Sequence, residues 1–344
     1  MFADEYGNLA TGDRQTSRKI KQPVRRGLCS KGCALPHWHK CSWSSQPAMS
    51  VSEQPSTLSS RLAGLAQRMG LIGRAPKQIL ARASSLSLPF AAIPAPRESI
   101  CWLDGASLHR LVDLPRNALS GPVQEDKAEA HAVLIRVVEQ QQQQLASFDL
   151  RMINGLTHCD PEYAHFANFE DYAACAHCRQ VRIISYKDFV KTISLALPRF
   201  LADERIELRQ ASWRGERVFW AGEHHGEAFA CAVAYARRRE MEITLPAELT
   251  SYRLSASGLA TLEQRYHVLA MPGAAWSDPA FMGLLLDNGL PYARLALLRT
   301  HGAPEFLLLP KHNQEATALG EGLCLAGAPD VVKHLKTLVT PKNA

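Results

Sequence analysis

The sequence has no apolar run of the roughly 20 residues that a membrane-spanning helix needs, and no hydrophobic signal-peptide core follows Met1 or Met49. It also lacks a G-x-S-x-G elbow, a Walker loop, an H-E-x-x-H pair and a Gly-rich dinucleotide fingerprint. The enzyme classes that depend on those motifs are therefore not indicated. Without a secretory signal, the nine cysteines predict reduced thiols in a cytoplasmic protein rather than a disulfide framework.

Acidic residues are missing from Gln54 to Arg97, and charge divides the chain at about residue 97. Residues 1–97 hold 14 lysines and arginines against 4 acidic residues, whereas the remainder holds 25 against 29. A basic arm thus precedes a mildly acidic body. An acid-poor arm rich in arginine and serine is typical of nucleic-acid binding, targeting or membrane-surface contact, and docking onto the acidic body is the alternative.

Three segments are predicted from composition. Residues 1–48 lack any apolar period and are expected to be a disordered extension, upstream of the true start if Met49 initiates the protein. Residues 49–97 are expected to hold a basic amphipathic helix, followed by a Pro-rich linker from Pro89 to Pro96. Residues 98–340 are long enough for a single globular α+β domain.

Apolar periodicity and turn residues in the body predict alternating strands and helices. The predicted strands are Val181–Tyr186, Arg205–Trp213, Arg217–Ala221, Met241–Leu245, Tyr266–Met271, Tyr292–Thr300 and Glu305–Leu309. The predicted helices are 123–147, Lys187–Ala202, Glu223–Glu240, Pro279–Asp287 and Pro329–Leu338. Two closely spaced strand pairs predict hairpins. The fold class is therefore α+β, a mixed sheet with hairpins packed against several helices, preceded by a basic, largely disordered N-terminal arm.

The densest group of metal-ligating residues surrounds Cys175-Ala176-His177-Cys178. A C-x-x-C pair places two thiolates within reach of one tetrahedral zinc ion. His158, Cys159 and His165 are the candidates for the remaining ligands. Zinc is thus a candidate cofactor, while packing of the two cysteines as small apolar groups, or redox chemistry between them, are the alternatives.

A second candidate site lies where an apolar strand runs into Gly222 and a helix is predicted to follow. The N–H groups at the start of a helix suit an anion, and glycine permits close approach of the backbone. The candidate ligand-binding residues are Gly222, Glu223, His224, His225 and Glu227. Exposed turn residues that only cap the helix are the alternative.

This segment resembles the ParB/sulfiredoxin-like fold over about residues 185–254. That family has a strand, a Gly-Glu-Arg-Arg turn, an Ala-rich helix and a further strand, and this chain has Gly222-Glu223-His224-His225 followed by the Ala-rich stretch 228–236. In the family the paired arginines hold nucleotide phosphates, and both are histidine here. Over the whole body the chain resembles an uncharacterised bacterial conserved family.

Together these patterns favour a cytoplasmic bacterial binding or accessory protein with an anionic small molecule as its candidate ligand at residues 222–227. A nucleotide phosphohydrolase or related phosphoryl-transfer enzyme is the alternative that the resemblance implies. A nucleic-acid accessory protein that uses the basic arm is the second alternative.

Overall fold

The computed structural model describes residues 74–296 and 304–339. Its helices are α1 (Arg74–Ser84), α2 (Gln124–Leu134), α3 (Phe169–Ala174), α4 (Tyr186–Ala196), α5 (Gly226–Arg238), α6 (Ala256–Arg265), α7 (Pro279–Asp287), α8 (Gln314–Leu325) and α9 (Val331–Val339). Its strands are β1 (Leu119–Ser120), β2 (Val138–Asp149), β3 (Ile153–Leu156), β4 (Ile206–Ala211), β5 (Val218–Trp220), β6 (Thr244–Leu254), β7 (Tyr266–Met271), β8 (Ala293–Leu295) and β9 (Glu305–Pro310).

The strands form two sheets. The five-stranded sheet has the order β2-β6-β4-β5-β3 and is mixed, because β3 is parallel to β5 and β4 is parallel to β6. The four-stranded sheet has the order β1-β8-β9-β7, and its pairings are antiparallel. These sheets and the helices around them confirm the α+β class.

Three apolar clusters hold these elements together. One is shared by the two sheets and includes Phe219 from β5 and Leu308 from β9. A second lies between the five-stranded sheet and helices α3, α4 and α5, and a third lies between the four-stranded sheet and helices α1, α7 and α8. Burial of apolar surface in these clusters is the main stabilising contribution to the fold.

Elements with strong local signals were predicted well. Strand β7 and helix α7 have the predicted bounds, and the Asp278 carboxylate caps α7 by accepting a hydrogen bond from the Phe281 N–H at 2.8 Å. Strands β4 and β5 pair antiparallel, as do β8 and β9, which confirms both hairpins. A cap or a tight turn acts over a few residues, so the sequence shows it directly.

Two predicted elements are of the wrong type, and the strand predicted at Met241–Leu245 is displaced, because β6 begins at Thr244 and runs to Leu254. The predicted helix 123–147 ends at Leu134, and the glutamines 140–144 lie instead in strand β2 at the edge of the five-stranded sheet. The predicted strand Val181–Tyr186 is absent because a capping box formed by Ser185 and Asp188 begins helix α4 at Tyr186.

The described part of the basic arm packs into the body, which favours the docking alternative for helix α1. Ile79 and Ala83 of α1 are buried against α8. Gly322 allows this approach, because a Cβ there would lie 2.5 Å from the Ala83 Cβ. The predictions for residues 1–48, and for an amphipathic helix between residues 49 and 73, lie outside the described residues.

Within residues 74–296 and 304–339, none of the helices has the length and apolar character needed to cross a membrane.

Candidate functional site

The predicted anion-binding turn lies between β5 and α5. Helix α5 begins at Gly226, three residues later than predicted, because His225 adopts the left-handed conformation with φ at 55°. Glu223, His224 and His225 are exposed, and the His225 Nδ1 lies 3.8 Å from a Glu227 carboxylate oxygen. Among the described residues, no side chain caps the first turn of α5, so its N–H groups remain available.

Gly222 has a packing role at this turn. A Cβ at position 222 would lie 1.9 Å from the Trp220 ring. That ring stacks on Phe229 of α5 with centroids 4.0 Å apart and an interplanar angle of 8°. The absence of a side chain at Gly222 therefore admits the indole, and this explains the glycine without a ligand.

The end of β3 lies beside the turn. Because β3 and β5 are parallel, their carboxyl ends meet at one edge of the sheet, and the Thr157 N–H donates a hydrogen bond to the Trp220 carbonyl at 2.8 Å. The next residue is His158, whose Nδ1 lies 3.1 Å from the Thr157 hydroxyl. The structure thus brings the backbone carbonyl of His158, a residue predicted as a metal ligand, close to Gly226 at the start of α5.

The five predicted zinc ligands do not form one ligand set. Cys159 forms a disulfide with Cys101, with Cα atoms 5.3 Å apart. The Nδ1 of His165 lies 2.8 Å from the Glu162 carbonyl. Within the part of the chain that the structure describes, no group of three or more histidine, cysteine or acidic side chains is arranged to hold a metal ion. The zinc hypothesis has no support from this geometry.

The disulfide also corrects the expectation that the thiols are all reduced. Cys101 lies after the Pro-rich segment and Cys159 lies just beyond β3, 58 positions along the chain. The bond therefore fastens the segment that follows the arm to the edge of the five-stranded sheet. Cysteine spacing could not reveal this pair, because sequence alone does not fix disulfide connectivity.

The C-x-x-C pair has a neighbour that the sequence analysis missed. Cys231, on α5, belongs to the same buried apolar cluster as Cys178, and α5 contacts the short helix His177–Gln180 that carries Cys178. Interaction with Cys231, together with burial, raises the pKa of the Cys178 thiol, and interaction with Cys178 lowers the pKa of Cys231. Cys178 is 1% and Cys231 is 6% exposed. Cys175, Cys178 and Cys231 are free thiols.

The Pro-rich segment predicted as a linker forms one wall of a cavity of about 360 Å³. Apolar side chains make up most of the remaining lining, including Leu108, Trp213, Phe306 and Leu335. An adjoining cavity of about 850 Å³ shares five of its lining residues and extends to the Cys101–Cys159 disulfide. We call the smaller space the proline-walled cavity. A volume of this size is within the usual range for small-molecule sites.

Asp104 supplies a polar group to this cavity. Its side chain is 10% exposed, and one carboxylate oxygen, Oδ1, accepts a hydrogen bond from Arg97 at 2.7 Å. The other oxygen, Oδ2, is buried and has no hydrogen-bond partner among the described residues. A buried acceptor without a partner is uncommon in folded proteins and is a marker of a functional or ligand-bound position.

Arg214 fixes the backbone that carries Asp104. Its guanidinium is buried and donates hydrogen bonds to the carbonyls of Asp104 and of Cys101, the latter at 2.9 Å. Burial lowers the pKa of Arg214 to about 10, so the side chain remains charged at neutral pH. Arg214 lies in the connection between the predicted strands Arg205–Trp213 and Arg217–Ala221, and nothing in that local pattern indicates a partner 110 positions earlier.

The sequence matches a family of unknown function, DUF6685, over residues 143–344. No curated protein and no solved structure matches the chain. The ParB/sulfiredoxin-like resemblance over residues 185–254 therefore rests only on the residues that suggested it. Since the match to DUF6685 covers more than half of the sequence, the chain belongs to this family of unknown function.

Proposed function

We propose that this protein binds a small, mostly apolar molecule carrying one neutral hydrogen-bond donor, and that the proline-walled cavity is its site. The Asp104 carboxylate is the observation that carries the proposal, because it lines a mostly apolar cavity and one of its oxygens, Oδ2, is buried without a partner among the described residues. An apolar pocket with a few convergent polar groups is the usual form of a small-molecule site. This places the binding function at a different position from the turn at residues 222–227.

The chemistry of the ligand follows from what surrounds the Asp104 carboxylate. Oδ1 is already paired with Arg97, and the Arg214 guanidinium is close enough to interact electrostatically with Asp104. With two cations beside it, the carboxylate does not require a third from the ligand. A hydroxyl or an N–H group of the ligand would donate to the Asp104 carboxylate, while the apolar walls would bury the rest of the molecule.

N-phenyl-1-naphthylamine is a suitable probe, because it is apolar, fluoresces more strongly away from water and has one N–H donor. We expect the full chain to bind it, and we expect Asp104→Asn to weaken binding about tenfold or more, the effect of losing a hydrogen bond to a charged acceptor. Ala106→Trp should abolish binding, because Ala106 lines the cavity and the indole would fill it. Fluorescence titration measures all three.

Glu98→Gln is the matched control, because it removes one exposed carboxylate beside the same segment without touching the cavity lining. It should bind the probe like the wild type, and circular dichroism should show that the variants keep the fold. The proposal would be rejected if the wild type did not bind the probe. It would also be rejected if Asp104→Asn and Ala106→Trp both bound the probe as tightly as the wild type.

A second candidate function is anion binding at residues 222–227. Two observations favour it. The first turn of α5 has no side-chain cap, and the carboxyl ends of the parallel strands β3 and β5 lie beside that turn. His224 and His225 are the side chains that would contact the anion. Two carboxylates, Glu223 and Glu227, lie in the same segment and oppose a negative ligand, so this candidate ranks below the cavity.

Isothermal titration with inorganic phosphate, ADP and a sugar phosphate tests the second candidate. A His224→Ala, His225→Ala double variant is expected to bind the anion about tenfold more weakly, because it loses two possible charge-assisted contacts. Its fold should persist, since both side chains are exposed. Equal binding by both proteins, or no binding by the wild type, would leave the histidines as surface residues. Release of phosphate from a nucleotide would instead support the phosphohydrolase alternative.

The nucleic-acid alternative depends mainly on residues outside the described ranges. Within the described part of the arm, Lys77 and Arg82 of α1 are exposed. They remain candidates for electrostatic contact with a polyanion, while the apolar face of the same helix is used for packing. A cytoplasmic location and a bacterial source likewise remain proposals.

A further inference from the structure

Strand β2 forms an open edge of the five-stranded sheet. It is the last strand in the order β2-β6-β4-β5-β3, so no strand of the described chain lies on its outer side. The strand is 12 residues long, and the side chains of residues 139–144 are exposed. An edge strand of this kind presents a row of unpaired N–H and C=O groups to which another strand can bind.

The hydrogen bonds around β2 show which of its main-chain groups point outward. The Ser255 N–H donates to the Val137 carbonyl at 2.9 Å, which continues the register that sets Val138 opposite Leu254. The Leu254 N–H points the other way and donates to the hydroxyl of Ser212, just after β4. Hydrogen-bonded and non-hydrogen-bonded pairs alternate along an antiparallel ladder. The odd-numbered residues therefore bond to β6, and the N–H and C=O groups of the glutamines 140, 142 and 144 point outward.

This edge lacks the features that usually keep an exposed strand unpaired. Proteins protect such edges with lysine, proline, a bulge or a covering loop. Residues 140–145 contain no charged residue and no proline, and the irregularity in the β2–β6 register comes only after Leu145. Glutamine side chains both donate and accept hydrogen bonds, as the Gln144 amide does when it donates to Glu248 of β6 at 2.8 Å. The stretch is therefore suited to pairing with a further strand.

The sequence of the stretch favours a second copy of the same strand. In a symmetric antiparallel pair the outward-facing residues bond to one another, so the two-fold axis passes where a residue lies opposite its own counterpart. The regular stretch 139–145 is centred on Gln142. With the axis there, glutamine lies opposite glutamine, and Glu139 lies opposite Leu145 of the second copy. An axis at Gln144 would instead set Glu139 against Asp149, which is unfavourable because both are acidic.

We propose that β2 pairs antiparallel with β2 of a second copy, centred on Gln142, so that the two five-stranded sheets become one sheet across a symmetric dimer. Residues 140, 142 and 144 of the two copies then exchange about six main-chain hydrogen bonds. As in other complexes formed by strand addition, these main-chain bonds supply the affinity. The proposal goes beyond ligand binding in the proline-walled cavity and does not depend on it.

Sedimentation velocity of the full chain at micromolar concentrations tests the dimer. We expect the wild type to sediment as a species of twice the mass of one chain. Gln142→Pro should be monomeric, because proline lacks the N–H that faces the second copy. The same substitution removes no hydrogen bond to β6, so circular dichroism should show an intact fold.

Two further variants complete this experiment. Gln142→Lys should also be monomeric, because it sets two cations directly opposite each other across the two-fold axis, and its fold should persist because the position is exposed. Gln142→Thr is the matched control. It keeps the N–H and suits a strand, so it should remain a dimer.

Cross-linking tests the register. The thiol introduced by Gln142→Cys would face its own counterpart, within reach of a disulfide. Gln140→Cys is the control on the same face of the strand, because it faces residue 144 of the second copy and lies about 13 Å from its own counterpart. The tryptic peptide of residues 137–151 contains no native cysteine, so mass spectrometry of a self-linked form identifies this contact. We expect it from Gln142→Cys after mild oxidation and not from Gln140→Cys.

Three results would overturn the proposal. The first is a monomeric wild type, which would leave the edge open or assign it to a different partner. The second is a dimer that persists in both Gln142→Pro and Gln142→Lys, which would place the interface elsewhere. The third is a self-linked peptide that is absent from Gln142→Cys or equally abundant in the two cysteine variants.

Discussion

Arg214→Met should lower the free energy of unfolding by about 3 kcal/mol or more. The substitution keeps an apolar stem but removes a buried cation that donates to the carbonyls of Ser99, Cys101 and Asp104. Each hydrogen bond to a charged group contributes about 1.5–3 kcal/mol, and a buried acceptor left without its donor adds a further cost. Urea unfolding followed by circular dichroism measures the change.

Arg238→Met is the control for this prediction, because Arg238 is exposed near the end of α5. An exposed position of this kind usually changes stability by less than about 0.5 kcal/mol. If Arg214→Met and Arg238→Met both unfolded at the same urea concentration as the wild type, the stabilising role of Arg214 would be contradicted. The loop that Arg214 holds also carries Asp104, so Arg214→Met should weaken probe binding in the proline-walled cavity as well.

The glutamine strand shows where local information misleads. Glutamine is a good helix former, and the side chains of residues 139–144 are exposed, so the segment lacks the apolar alternation of a typical strand. Strand β2 exists because its backbone pairs with β6, and Gln142 lies opposite Thr250. A partner more than 100 positions away supplies the hydrogen bonds, and this overrides local propensity.

In the candidate sites, too, the sequence shows the features that depend on neighbouring residues and does not show those that depend on distant contacts. The strand–glycine–helix order at Gly222 was visible in the sequence, but the Trp220 ring that explains the glycine was not linked to it. The spacing of Cys175 and Cys178 marks them in the sequence, whereas Cys231 gives no such signal because packing of α5 against the short helix His177–Gln180 brings it near them. Asp104 gave no signal either, since its importance depends on burial and on an absent partner among the described residues.

His109 is expected to make the protein lose stability as the pH falls from about 6.5 to about 4. Burial, followed by the nearby charges of Arg209 and Arg110, lowers the pKa of His109 to about 4. Its ring lies 5.3 Å from that of Trp102 and 5.7 Å from that of Tyr252, in the core shared by the two sheets. The folded protein therefore keeps the ring neutral over a pH range in which the unfolded chain protonates it.

The sign follows from proton binding. Below pH 6.5 His109 is protonated in the unfolded chain but stays neutral in the folded protein. Lowering the pH therefore decreases the free energy of unfolding until His109 also becomes protonated in the folded protein, near pH 4. A difference of about 2.5 pKa units corresponds to at most about 3 kcal/mol, and less where solvent screens the ring. His109→Phe keeps an aromatic ring and removes this linkage. Relative to the wild type, the variant should gain stability between pH 7 and pH 4.

Urea unfolding of both proteins at several pH values between 4 and 7 measures this difference. His224→Phe is the control, because His224 is exposed, and its pH dependence should match that of the wild type. Burial also lowers the pKa of His267 and His334, so His109→Phe should retain part of the acid sensitivity. Parallel stability curves for His109→Phe and the wild type would show that His109 is protonated equally in the folded and unfolded states, which contradicts the burial of its ring between Trp102 and Tyr252.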